Sequence, residues 1–310
     1  MNLCHGVQDS KITFFRTNKD THVAAPNARS QCLNPDNDVP DLTGKTIFIT
    51  GGTNGLGAES VILFAKHKPA HIYISGRNAK TAEKTIQRVR DAGSSTEVTF
   101  VECNLASLVS VKQAGKLFAA FTTRLDILIC SAGIMAQTPG LTTDGYEIQF
   151  GANHLGHALL IKKLLPLLEN RQGEDGDRRI VILTSQGARI HPSGGILFDN
   201  LRTVQNDFFV GGPIITISIH PGVVSTGLVD NLGFLDRALI YSTSVGRMLK
   251  PEQGAYNQVW AATAPREEIQ NWLYYEPVGE LAQSRLKKLE TDDGLAGRLW
   301  DWTEEALEGF

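Results

Sequence analysis

Gly51, Gly55 and Gly57 are spaced to hold an anion. They close the run Thr46-Ile47-Phe48-Ile49-Thr50-Gly51-Gly52-Thr53-Asn54-Gly55-Leu56-Gly57. A short apolar, β-prone stretch enters the glycines, and from Ala58 to Lys66 apolar residues recur at helical spacing (Val61, Ile62, Phe64, Ala65), so the order is strand, tight turn, helix. In that order Gly51 permits the sharp turn, Gly55 lets backbone approach a pyrophosphate without a Cβ in the way, and Gly57 lets the helix pack closely on the strand. Thr53, Asn54 and Leu56 fill the turn between them. The helix N-terminus adds unpaired N–H donors and the positive end of its dipole. This is the chemistry of a dinucleotide site.

Arg77 is the next residue with a chemical role to offer. It stands 20 residues after Gly57, in Ser75-Gly76-Arg77-Asn78, where a second strand ends. In doubly wound folds an acid at that place selects the ribose 2′-hydroxyl, whereas an arginine accommodates a 2′-phosphate. No acid lies between His71 and Ala82, and the planar guanidinium pairs with phosphate through two hydrogen bonds. The expected cofactor is therefore NADP rather than NAD.

The elements that must position these residues alternate. His71–Ser75, Glu97–Glu102 and Leu125–Cys130 read as strands, and Ala79–Ala92 and Val109–Phe121 as the helices between them. Asn153–Leu168 is a long helix with Leu155, Leu159, Leu160, Leu164 and Leu167 on one side. Arg179–Ser185 and Ile214–His220 give fifth and sixth strands, with a last one near Tyr274-Tyr275. This alternation predicts an α/β fold, a Rossmann-like doubly wound parallel sheet in a single domain with right-handed crossovers. Residues 1–40, polar and irregular, read as a disordered N-terminal extension; 41–310 form the NADP-binding domain, with 226–310 as its substrate-binding part.

Composition excludes several function classes. A net charge of -3 with 20% charged residues offers no basic patch for nucleic acid. The longest apolar runs fall far short of the ~18 residues a membrane span needs, and the N-terminus lacks the build of a signal peptide, so a soluble, cytoplasmic protein is expected. Cys4, Cys32, Cys103 and Cys130 show no metal spacing and read as reduced thiols. His154 and His157, one helical turn apart, have no third ligand near in sequence and read as packing or interface residues.

From about Asn34 to Phe310 the chain resembles the short-chain dehydrogenase/reductase family. Thr50 to Gly57 matches its TGxxxGxG cofactor motif, Asn104-Leu105 stands where an Asp-Leu pair contacts adenine, and Cys130-Ser131-Ala132-Gly133 stands where NNAG is usual. Asp144-Gly145-Tyr146-Glu147, Phe150 and Asn153-His154-Leu155-Gly156-His157 are similar to the branch that includes retinol dehydrogenases. His220-Pro221-Gly222-Val223-Val224-Ser225-Thr226 resembles the motif that holds the nicotinamide end, and Trp300 to Gly309 resembles fungal members acting in secondary metabolism. The resemblance implies hydride transfer between a nicotinamide and a carbonyl or alcohol of a small lipophilic substrate. It implies Ser131, Ala132, Gly133, Pro221, Gly222, Val224 and Thr226 as cofactor contacts, with Lys162 along the proton-relay path. Asn153 is by the same resemblance the catalytic Asn, and Ser185 the Ser that orients the substrate carbonyl.

The family's Tyr-x-x-x-Lys pair is another matter. No tyrosine or lysine lies between Ser185 and Pro221, and no tyrosine anywhere is followed four residues later by lysine. Ser185 and Pro221 are only 36 residues apart, and residues 186–213 hold five glycines, two prolines and no amphipathic run of helix length. The crossover helix before the sixth strand is therefore expected to be missing. In relatives that helix also serves the dimer, so weaker homodimerisation is expected with it. Two alternatives stand beside the enzyme reading: a catalytically impaired NADP-binding protein, and the product of a truncated splice form or gene model.

Overall fold

A computed structural model describes residues 33–135, 137–170, 177–185, 192, 194–204, 218–224, 248–271, 273–286 and 291–310. Eight strands form one sheet: β1 (Thr46–Thr50), β2 (His71–Gly76), β3 (Val98–Glu102), β4 (Ile127–Cys130), β5 (Arg179–Leu183), β6 (Ser218–Ile219), β7 (Tyr274–Glu276) and β8 (Glu280–Leu281). Their order is β3-β2-β1-β4-β5-β6-β7-β8, parallel throughout except for the antiparallel β7–β8 edge. The strand order reverses between β1 and β4, the switch point at which such sheets open a crevice at their carboxyl ends.

β1 and β4 are buried at every position because helices cover both faces, which is why they read as unbroken apolar runs. One face packs the helices Leu108–Phe121, Gly156–Glu169 and Asp293–Ala306 around Phe48, Leu128 and Ile182. Phe48 and Tyr73 each meet Phe118 edge-on, at 4.9 and 4.8 Å between ring centroids. The other face packs Gly55–Ala65, Ala79–Asp91 and Pro251–Thr263 around Ile47, Ile49, Ile72 and Ile74.

Two expectations need correction. Residues 33–40, read as the end of a polar extension, are ordered against the second face: Leu33, Pro35 and Val39 are buried, and Asn34 caps a short helix, Pro35–Asp38. The long helix starts before Asn153. Glu147 caps Ile148–Phe150, accepting the N–H groups of Gln149 (3.0 Å) and Phe150 (2.7 Å), and Gly151–Leu155 is a π-helical turn leading into Gly156–Glu169. Asn153 is thus no helix-start cap. Between Ser185 and Ser218 the one helical element among the described residues is a 3-10 turn, Phe198–Asn200. Residues 186–191, 193 and 205–217, much of the 186–213 interval expected to lack the crossover helix together with the start of the expected sixth strand, lie outside them, as do residues 1–32 and 225–247. No described helix is long and apolar enough to cross a membrane.

The last helix is tied to the π-turn by His154, whose Nε2 lies 2.7 Å from Thr303 Oγ1. Thr303 donates its own proton to Leu299 O at 2.6 Å, so His154 is the donor to Thr303. Burial pushes the His154 pKa down to about 4, with neighbouring His157 adding to the effect. A histidine kept neutral in the fold and near 6.5 when unfolded contributes stability that is complete above about pH 6.5 and is lost as pH falls toward 4. Urea unfolding across that window is expected to show roughly 3 kcal/mol more acid loss for the wild type than for His154→Gln. Equal losses would remove His154 from the account.

Candidate cofactor site

The loop after β1 is a set of contacts that tolerate no side chain. A Cβ on Gly57 would lie 2.3 Å from Gly51 O, and one on Gly51, at φ +67°, would lie 2.9 Å from Ala132 Cα. The first close approach seats helix Gly55–Ala65 on the strand end; the second presses the β1 loop against the loop after β4. Asn54 is the N-cap but makes no side-chain capping bond, so the first-turn N–H groups are not spent on it. Thr53 lies under the end of β2, where a Cβ on Gly76 would be 2.8 Å from Thr53 Oγ1. The next residue, Arg77, is exposed, and its guanidinium makes no hydrogen bond or ion pair among the described residues.

The loop after β4 is held from two directions. Asn153 Nδ2 donates to Ile134 O and Asn153 Oδ1 accepts Ile134 N–H, both at 2.8 Å. Behind it, Ala132 N–H donates to Thr50 Oγ1 at 3.0 Å, and Thr50 Oγ1 lies 2.9 Å from His157 Nε2. His157 Nδ1 is 2.9 Å from Asn153 O, an acceptor only, so Nδ1 carries the proton and Nε2 accepts from Thr50. Burial lowers the His157 pKa, which keeps the ring in that neutral form. His157, expected only to pack, in fact joins the β1 end to the Asn153 turn; its neighbourhood to Thr50 spans 107 residues and no local signal carries it.

Strand register brings the remaining residues abreast. Leu183 pairs with Ile219, so β5 and β6 lead Ser185 and Pro221 out at the same carboxyl edge; after Cys130, which pairs with Ile182, Gly133 faces Asn153, whose Oδ1 would lie 3.5 Å from a Cβ there. Ser185 is exposed at this carboxyl edge. Gly222, at φ +86°, turns against Leu249, and Leu249 N–H donates to Val223 O at 2.8 Å. Asn104 Oδ1 accepts Ala106 N–H at 3.2 Å in the loop after β3, and Leu105 sits so close to Gly156 that a Cβ there would be 2.5 Å from Leu105 O. Thr226 lies outside the described residues. Lys162, expected along the proton-relay path, has its ammonium 2.8 Å from Glu304 Oε2 on the last helix, in an exposed ion pair. Cys130 is no nucleophile, since burial pushes its thiol up to about 12.

A dinucleotide fits this arrangement on the chain's own evidence. Glycines with no room for a Cβ line the turn, and Ser131 Oγ, at the crevice, is buried without a hydrogen-bond partner among the described residues.

The family model for short chain dehydrogenase matches residues 45–198. A short-chain dehydrogenase/reductase, drtF, from Aspergillus calidoustus is 32% identical over 87% of this chain and 95% of its own. The chain belongs to the short-chain dehydrogenase family. The polyprenol dehydrogenase of Danio rerio is 29% identical, covering 85% of this chain and 86% of its own. A solved structure from Mycobacterium paratuberculosis superposes with a TM-score of 0.64 at 23% identity, over 87% of this chain and 95% of its own, and shares the fold. Short-chain dehydrogenases bind a nicotinamide cofactor and act on CH–OH or C=O groups. The alignment to the Aspergillus relative runs over 301 positions and takes in 87% of 310 residues, about 270, so about 30 of its positions in total have no counterpart here. The Danio rerio alignment, 293 positions over 85% of the chain, leaves about the same total unmatched.

Gly57→Ala is expected to push the helix off Gly51 and to lower dinucleotide affinity at least about tenfold, read by fluorescence titration with NADPH. Unchanged affinity would show that the close approach is not part of the site.

Proposed function

We propose that this chain is an NADP-binding short-chain oxidoreductase by descent, whose inherited reaction joins nicotinamide to the carbonyl or alcohol carbon of a small lipophilic substrate, such as a fungal secondary metabolite. Arg77 carries the choice of NADP. It is the exposed, unpaired cation at the end of β2, beside Thr53, where an NAD site would present an acid. The lipophilic substrate is supported by the apolar sequence Leu228 to Ile240 after the Pro221-Gly222 turn, and by the name of the Danio rerio relative.

The cofactor, when bound, accepts or supplies the hydride. The chain's residues do the rest. Backbone from Gly51 to Gly57 and the helix N-terminus hold the pyrophosphate, Arg77 the 2′-phosphate, Asn104 and Leu105 the adenine. Ser131, Ala132 and Gly133 line the middle of the cleft, and Pro221, Gly222, Val224 and Thr226 hold the nicotinamide end. Ser185 donates a hydrogen bond to the substrate oxygen, while Asn153 fixes the loop that faces it. No tyrosine or lysine between Ser185 and Pro221 is present to move the proton, and losing a positioned acid/base costs about 10²- to 10⁴-fold.

A second reading follows from the missing tyrosine and lysine: an NADP-binding protein without efficient turnover, either by design of the chain or because the segment that would carry them has been removed in a splice form or gene model. Sequencing the transcript across the codons for Asn206 to Ile214 separates the two sources.

Arg77→Asp tests the cofactor assignment. NADPH affinity is expected to fall by about 10- to 100-fold while NADH affinity changes little or rises. Wild-type protein that binds NADH as tightly as NADPH would refute it.

A further inference from the structure

Helix Pro251–Thr263 reaches the dinucleotide crevice at both of its ends. Gly254, Asn257 and Gln258 stand at i, i+3 and i+4 and share one face of it. Toward the glycine turn, Gln258 Nε2 donates to Leu56 O at 2.8 Å and to Ser60 Oγ, both on the first turns of helix Gly55–Ala65. Toward the other end, Asn257 Nδ2 donates to His220 O at 2.8 Å, the carbonyl just before Pro221-Gly222. Asn257 Oδ1 accepts Gly279 N–H at 3.0 Å, which fixes which way its amide faces. Gly254 lies between the two ends: a Cβ there would be 2.5 Å from Val224 Cγ2 and 2.7 Å from Leu56 Cδ2.

Stability alone does not account for these side chains. Asn257 and Gln258 are both 0% exposed, in a helix whose other buried positions are Gly254, Ala255, Val259, Ala261 and Ala262. Two adjacent buried amides carry a desolvation cost that aliphatic residues would not, and Gln258 Oε1 has no hydrogen-bond partner among the described residues. Polar groups kept at such cost concentrate where a site must be held in place. Here the groups they hold are a carbonyl in the first turn of the pyrophosphate-binding helix and the carbonyl that leads into the nicotinamide-end turn.

We infer that Asn257 and Gln258 are positioning residues for the dinucleotide, and that helix Pro251–Thr263 is the strut setting the separation between the Gly51–Gly57 turn and the Pro221-Gly222 turn. The inference rests on the reading of this crevice as an NADP site. A ligand that must engage both turns at once is sensitive to their separation, whereas half of that ligand is not. The two amides therefore have different signatures.

The test is fluorescence titration of the full chain and its variants with NADPH and with 2′,5′-ADP, which reaches the glycine turn and Arg77 but not the nicotinamide end. Asn257→Ala is expected to weaken NADPH about tenfold and leave 2′,5′-ADP within about twofold; Gln258→Leu is expected to weaken both about tenfold. Retained 2′,5′-ADP binding also reports that the Asn257 variant is folded, and Asn257→Ser, which keeps a hydroxyl donor, is expected to give the same split in milder form. Variants that bind both ligands as the wild type does would overturn the inference and leave the NADP reading standing. Equal weakening of both ligands by the Asn257 variants would overturn it too, as a general structural effect. Wild-type protein that binds neither ligand would overturn the NADP reading, and the inference with it.

Discussion

The carboxyl edge of this sheet depends on backbone touching backbone at Gly51. Gly57 lies against its carbonyl and Ala132 against its Cα, at separations that leave no room for a Cβ on either glycine. That contact brings the N-terminus of helix Gly55–Ala65 to the mouth of the β1/β4 crevice, where its dipole and N–H groups would suit an anion. The hydrogen bonds around it serve the same geometry. Thr50, His157 and Asn153 tie the loop after β4 to the strand end, and Gln258 ties the helix from behind.

The two halves of the site are unequal in what they retain. On the adenosine side every recognised position has a physical role open to it: the glycine turn, Thr53 beneath Gly76, Arg77 unpaired at the end of β2. On the reaction side Ser185 and Asn153 stand at the edge of the sheet, one exposed and one bonded to Ile134, without a tyrosine or lysine between Ser185 and Pro221. On the proposed reading, a binding half of this kind beside a reaction side without that tyrosine or lysine favours association over turnover, because the cofactor's affinity comes from the first and the chemical step needs the second.

Much of this was legible in the sequence, for identifiable reasons. β1, β2 and β4 are buried on both faces, so their apolar runs are continuous, and the glycine turn between β1 and its helix has spacing few other structures need. The boundaries that failed are those set by distant partners. Leu33 and Val39 look like part of a polar tail until the second face of the sheet covers them, and the helix before Asn153 starts early because Glu147 caps it. His157, Asn257 and Gln258 gave no sign of their bonds, since Thr50, His220 and Leu56 lie 107, 37 and 202 residues away from them. Lys162 was placed by resemblance alone, and its partner Glu304 lies 142 residues on, beyond any local signal.

The central proposal is that this chain binds NADP but, without a tyrosine or lysine between Ser185 and Pro221, turns it over slowly. It is tested most directly by following NADPH absorbance at 340 nm in the presence of full-length protein already saturated with NADPH by titration, across a broad panel of ketones and aldehydes. The account predicts saturable NADPH binding with turnover at least about 10²-fold below the common enzymatic range of roughly 1–10³ per second. Turnover within that range, abolished by Ser185→Ala, would contradict it.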